Sequence, residues 1–219
     1  MRLGTSQLGK TGTFATIGLV TFLLVSAALA KKPKQTKPTG DYFPLRVGDS
    51  WTYRNTEEGG YTFKVLSEEP QTGGPSRFDV EISSGVKIIN VFSKANGWVY
   101  LHAEHYPQNE GLEMKYEPAR QYLSNPLAVG QKWVWSGKDP TQMDARESSR
   151  VVGTETVKVA AGTFRAMKVV TEITSGGGVK TRTNWYADGV GLVKSATDAG
   201  KYKYGSELTE YSFKKKQAK

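Results

Sequence analysis

The chain has 219 residues, with 30 Lys+Arg against 21 Asp+Glu, a formal net charge of +9, two histidines and no cysteine. The missing cysteine excludes a disulfide framework, a thiolate nucleophile and sulfur-ligated metal centres. With His102 and His105 as the whole imidazole complement, a three-histidine metal site is excluded, and any Ser-His-Asp triad must use one of the two.

Residues 1–30 place Arg2 and Lys10 ahead of an apolar stretch from Phe14 to Leu29, and Ala28-Leu29-Ala30 has the small-x-small form of a cleavage site. This is the layout of a secretory signal peptide. It predicts cleavage after Ala30 and a periplasmic or secreted bacterial protein. The alternative is a retained anchor, because the stretch approaches the ~17-residue lower limit for spanning a bilayer. No Cys follows the apolar run, so no thiol is available for lipidation. After Ala30 no second apolar stretch reaches spanning length, and no membrane span is expected once the signal is removed.

The charge is unevenly placed. Lys31, Lys32, Lys34 and Lys37 fall in the leader 31–40, and Lys214, Lys215, Lys216 and Lys219 in the tail 214–219. Without the signal and these eight lysines, residues 38–213 carry 20 basic and 21 acidic residues. Pro-containing, lysine-rich termini that bury no apolar area are expected to be solvated and flexible. A near-neutral body argues against nucleic acid as a partner, since phosphate binding needs clustered cations on a folded surface.

From Tyr42 onward, β-formers recur with period two and are broken at short intervals by Gly, Pro, Asn and Asp. Tyr61, Phe63 and Val65 alternate with Thr62 and Lys64; Phe78, Val80 and Ile82 alternate with Asp79 and Glu81. The nearly continuous apolar run Val86 to Phe92 predicts a strand covered on both faces. Trp98 to Ala103, Leu112 to Tyr116 and Lys132 to Trp135 continue the series, and Glu117 to Leu123 is compatible with a helical turn or two. Val151 to Val159, Thr163 to Thr174, Val179 to Ala187, Val190 to Ala196 and Lys201 to Phe213 follow. Turns are expected at Glu58 to Gly60, Gly73 to Pro75, Ser84-Gly85, Asn96-Gly97, Ser175 to Gly178 and Asp198 to Gly200. Together they predict one all-β domain over 41–213: an antiparallel curved sheet, half-barrel, sandwich or barrel of about 11–12 strands.

The chain also repeats itself. Pro44 to Tyr53 and Pro126 to Trp135 share PLxVGxxW followed by x-aromatic, and Gly85-Val86-Lys87 corresponds to Gly178-Val179-Lys180. Two similar sheet units are therefore expected, about 41–116 and 123–213. Their spacing requires extra residues in the second, which the polar segment Gly137 to Ser149 would hold. In the shared motif Pro fixes the loop exit, Leu and Val anchor the turn, Gly supplies a backbone angle closed to other residues, and Trp enters a strand facing inward.

Three segments carry a resemblance. PLxVGxxWxY, Ala161-Gly-Thr-Phe-Arg-Ala-Met-Lys-Val169 and Trp185-Tyr-Ala-Asp-Gly-Val-Gly-Leu-Val-Lys194 resemble the signature of exported bacterial all-β proteins of unknown function. The resemblance covers most of 42–196 and implies a secreted or periplasmic β-domain, lipid-anchored in many relatives. This chain departs there, having no Cys after its signal. The family carries no established catalytic residues, so none transfer.

Catalytic constellations are otherwise sparse. On an unbroken strand His102 and Glu104 share a face and His105 points the other way, so the three converge only across a bulge. The acid pairs Glu57-Glu58 and Glu68-Glu69 adjoin turns, whereas glycosidase chemistry needs carboxyls on opposing walls. Gly176 to Gly178 lacks the following helix of a phosphate loop. Tyr202, Tyr204, Tyr211 and Phe213 with Lys201 and Lys203 mimic an aromatic–basic nucleic-acid strand, which the export signal and neutral body disfavour. No catalytic residue, metal site or cofactor is expected.

The leading expectation is a non-enzymatic envelope or secreted protein holding a hydrophobic or lipid-like small molecule, with Trp51, Trp133, Trp135 and Trp185 as candidate lining residues. The alternatives are a structural or assembly protein contacting envelope polymers or partner proteins through sheet edges and basic tails, and a hydrolase using His102 or His105.

Overall fold

The computed structural model describes residues 39–214. The signal segment 1–30, leader residues 31–38 and tail residues 215–219 lie outside the described residues. Twelve strands follow one another: β1 (Ser50–Asn55), β2 (Gly60–Glu69), β3 (Arg77–Ser83), β4 (Lys87–Ala95), β5 (Trp98–Tyr106), β6 (Leu112–Ser124), β7 (Lys132–Lys138), β8 (Asp144–Val159), β9 (Gly162–Ser175), β10 (Gly178–Ala187), β11 (Gly191–Ala199) and β12 (Tyr202–Ser212). Each pairs antiparallel with its sequence neighbours, and β1 pairs with β12 as well as β2, so the sheet closes into an up-and-down barrel. Of the architectures the sequence allowed, closure selects the barrel.

Period-two patterning carries the wall. Phe78 and Val80 on β3, Val99 and Leu101 on β5, and Trp51 and Tyr53 on β1 are buried, with polar neighbours between them turned outward. Glu117 to Leu123 belongs to strand β6 rather than to a helical turn, because Leu101↔Arg120 and Tyr100↔Gln121 continue its ladder with β5. The polar segment Gly137 to Ser149 is also mostly strand, turning only at 139–143. Strand β8, which takes up this segment's end, and its partner β9 are long, with 16 and 14 residues against 10 and 7 in β2 and β3.

The two ends of the barrel differ. At one end the segment before β1 folds inward as a plug. Phe43 packs 5.1 Å from Phe92, 5.4 Å from Tyr122 and 6.1 Å from Phe63 between ring centroids, and Leu45 and Leu127 are buried beside it. Asp41 fixes the plug by accepting from Lys94 Nζ at 2.8 Å, Asn125 Nδ2 at 2.9 Å and the Phe43 amide at 3.1 Å. Burial opposes this carboxylate, but Lys94, Asn125 and the amide prevail and hold its pKa below the ordinary value. Two hydrogen bonds join described residues of the expected leader and tail to the barrel: the Thr39 amide donates to Asp188 at 2.7 Å, and the Lys214 amide to Asp49 at 3.0 Å.

The two PLxVGxxW segments make the same turn. Asp49 N donates to Arg46 O and Gly48 N to Val65 O; in parallel, Gln131 N donates to Ala128 O and Gly130 N to Val151 O. Gly48 and Gly130 hold φ of 88° and 86°, a region that favours glycine. Leu anchors the turn as expected, whereas Val47 and Val129 are exposed, because the turn directs them outward over the closed end.

Candidate functional site: the open end of the barrel

The end opposite the plug is open. Beneath it lies a cavity of about 310 Å³ walled by Trp51, Tyr53, Phe63, Phe92 and Tyr122, floored by Phe43 and Pro44, and reaching Asn55 and Ser84 near the turns. A second space of about 320 Å³ meets it at Asn55, Tyr61, Tyr122 and Leu192 and is lined further by Arg182, Asn184, Ser195, Thr197, Tyr204 and Ser206. The inner surface therefore passes from aromatic at depth to hydroxyl- and amide-rich at the mouth.

Hydrogen bonds hold these walls. Trp51 Nε1 donates to Val190 O at 2.6 Å and Tyr53 Oη to Leu192 O at 2.9 Å. Tyr61 Oη, Ser206 Oγ and Ser195 Oγ form a hydroxyl chain with links of 3.1 and 2.9 Å. Burial pushes the Tyr53 and Tyr186 phenols well above their ordinary pKa, with neighbouring tyrosines adding to it, so both remain neutral donors. Among the described residues two buried side-chain acceptors have no protein partner: Asn90 Oδ1, beside the cavity, and Asn184 Oδ1, beside the vestibule. Asn184 is otherwise committed, its Nδ2 donating to Tyr186 Oη at 2.9 Å.

The candidate tryptophans divide. Trp51 lines the cavity. Trp133 and Trp135 are buried at the junction of β6 and β7, where the ladder is reduced to the pair Glu117↔Lys138. There Trp133 packs edge-on against Trp98 at 5.9 Å and Trp135 against Tyr116 at 5.8 Å, while Trp135 Nε1 donates to Pro118 O. Trp185 lies on the outer wall, donating to Glu155 at 2.7 Å beneath the ammonium groups of Lys168 and Lys194. The lining residues missed from sequence are the tyrosines Tyr53, Tyr61 and Tyr122, the asparagines and Arg182. Inward alternation with Trp51 marks Tyr53, but nothing in single-strand patterning tells a cavity wall from a filled core.

His102 and His105 come together differently from the unbroken-strand expectation. Bulges at Val91/Phe92 and Leu101/Ala103 shift the register, and both imidazoles line an outer groove of about 630 Å³ with Arg77, Asp79, Glu113 and Lys115. Glu104 instead accepts from Tyr106 and Tyr116. His102 Nε2 lies 2.9 Å from Ser93 Oγ, a serine–histidine contact, but Ser93 is only 1% exposed. Burial, and then the Arg77 charge, depresses His102 to a pKa of about 4, well below what a general base at neutral pH requires. Among the described residues no group of three or more metal-ligating side chains converges.

Fold and site thus define a closed antiparallel barrel, plugged at one end and open at the other over an aromatic cavity. Residues 119–210 match the family model described as DUF3108-like, and the match spans both the Ala161–Val169 and Trp185–Lys194 segments on which the motif resemblance rests. Among solved structures, the chain is similar to a candidate lipoprotein from Parabacteroides distasonis (15% identity, TM-score 0.46, covering 78% of this chain and 98% of that one). It is also similar to an exported-protein candidate with a YmcC-like fold from Bacteroides fragilis (16%, TM-score 0.44, 79% and 99%) and to the hypothetical lipoprotein YmcC of Escherichia coli (11%, TM-score 0.35, 78% and 86%). No curated protein matches the chain.

Proposed function

We propose that this is an exported, non-enzymatic binding protein that holds a small molecule with an apolar body inside the open end of its barrel. The observation that carries the reading is the aromatic cavity of about 310 Å³ opening into a polar vestibule, a size at the lower end of small-molecule sites. The unpartnered Asn90 Oδ1 supports it, since a buried acceptor without a donor is costly and a ligand hydroxyl or amine would satisfy it. The rim supports it too: Val86, Leu112, Met143, Val179 and Tyr202, each beside a different turn of the open end, are exposed apolar side chains. Export rests on the N-terminal segment, and a mature protein beginning at Lys31 is the expected product.

The test is native mass spectrometry of the protein purified from its own host, together with titration of the delipidated chain with decan-1-ol followed by tryptophan fluorescence. A co-purifying small molecule, and saturable binding weakened by the cavity-filling change Leu192→Trp, is the expected result. Absence of both would overturn the reading.

A further inference from the structure

The vestibule adds a charge to the cavity, and the meaning of that charge rests on the binding reading above. Among the described residues Arg182, on β10, is the one charged side chain lining either space. It faces inward: it lines the vestibule and shares its face of β10 with Asn184 and the buried Tyr186. Two other interior charges are matched: Arg120 pairs with Glu147 at 2.9 Å, and the Glu104 carboxylate accepts the Tyr106 and Tyr116 hydroxyls at 2.7 and 2.9 Å. Lys180, on the same face of β10 opposite Ile173, lines neither space. Arg182 takes part in none of the ion pairs among the described residues. The hydroxyls of Ser195, Thr197 and Ser206 line the vestibule with it, and each can turn its proton toward an acceptor.

We infer that the ligand is an amphipathic anion, its acidic head group held by Arg182 and the vestibule hydroxyls and its apolar body lying in the aromatic cavity. A guanidinium in a partly enclosed site favours a bidentate oxyanion, and charge-assisted contacts of this kind are the strong ones. The cavity holds roughly ten groups at the ~30 Å³ of a water molecule, which suits a compact chain or ring system.

The experiment compares decanoate with decan-1-ol by isothermal titration calorimetry on the purified chain, as wild type, Arg182→Gln and Arg182→Lys. Wild type is expected to bind decanoate about ten-fold or more tightly than the alcohol, a preference that added salt diminishes. Arg182→Gln removes the preference for the anion over the alcohol, and Arg182→Lys retains part of it. Equal affinity for the two amphiphiles in wild type, or a salt-insensitive preference, overturns the anion inference and leaves the cavity reading standing. Failure of both amphiphiles to bind wild type overturns the two together. The wild-type comparison does not depend on either variant folding.

Discussion

Two boundaries of the same wall are built on different principles. Between β8 and β9 the ladder runs from Ala145↔Ser175 to Val159↔Gly162, interrupted by a single register shift. Between β6 and β7 it is reduced to Glu117↔Lys138, and side chains do the joining: the Arg120–Glu147 ion pair reaching past β7 to β8, the Gln131–Ser124 hydrogen bond, and the Trp98–Trp133 and Tyr116–Trp135 contacts. Pro118 explains part of the difference, because it has no N–H to give to a ladder. A closed barrel therefore need not be closed by backbone everywhere; where the ladder fails, a buried ion pair and aromatic rings occupy the gap.

The contrast can be broken most forcefully at Arg120. Arg120→Leu leaves Glu147 buried without its partner and is expected to lower unfolding free energy by about 3–5 kcal/mol in a denaturant titration. Adding Glu147→Leu should recover much of that loss, since an apolar pair removes the stranded charge; no recovery would mean that Arg120 acts through its stacking on Tyr116 and Tyr122. A smaller effect separates two glycines. A Cβ at Gly137 would strike Glu117 O and Pro118, so Gly137→Ala should cost about 1–3 kcal/mol. Gly153, at the β8 register shift, has open space around it, and Gly153→Ala should stay within about 0.5 kcal/mol of wild type. Equal costs at the two positions would remove the distinction between seam and hairpin.

A further difference is in pH. His102 sits on β5, on the seam side of the wall, and its pKa falls from the ordinary 6.5 to about 4 on folding. The unfolded chain therefore binds more protons between those values, and stability should decline as pH is lowered from 6.5 towards 4. His102→Gln should flatten that segment of the curve. A decline of unchanged slope in the variant would assign it to other groups.

Much of the wall is legible in the sequence because alternation is a local property. Tyr61 to Val65, Phe78 to Ile82 and Trp98 to Ala103 all lie within strands that their patterns mark. Expectation and structure differ where pattern and pairing part. Glu117 to Leu123 mixes charged and apolar residues at spacings that suit a helix, and only its partner β5 makes it a strand. The bulges that bring His102 and His105 into one groove depend on how three strands pair, which no single segment encodes. Among the tryptophans, composition marks large apolar anchors but does not distinguish Trp51, on a void, from Trp133 and Trp135, in a seam. Arg182 carries no signal of its own: it is one cation in the alternating run Lys180-Thr-Arg-Thr-Asn, and its meaning comes from the lack of an opposing carboxylate among the described lining residues.

Closure also sets the order in which the molecule can be completed. Ser50 pairs with Ser212, so the first strand of the barrel finds one of its two partners only when all the other strands have been made. Until then β1 and the growing end of the meander present bare hydrogen-bonding edges, the surfaces on which strands from different chains join and aggregate. Joining ends so distant also carries a large loop-closure entropy and makes for slow folding. A chain that stalled before β12 would lack the ring altogether, and with it the cavity, since Trp51 and Tyr53 stand on the strand left waiting.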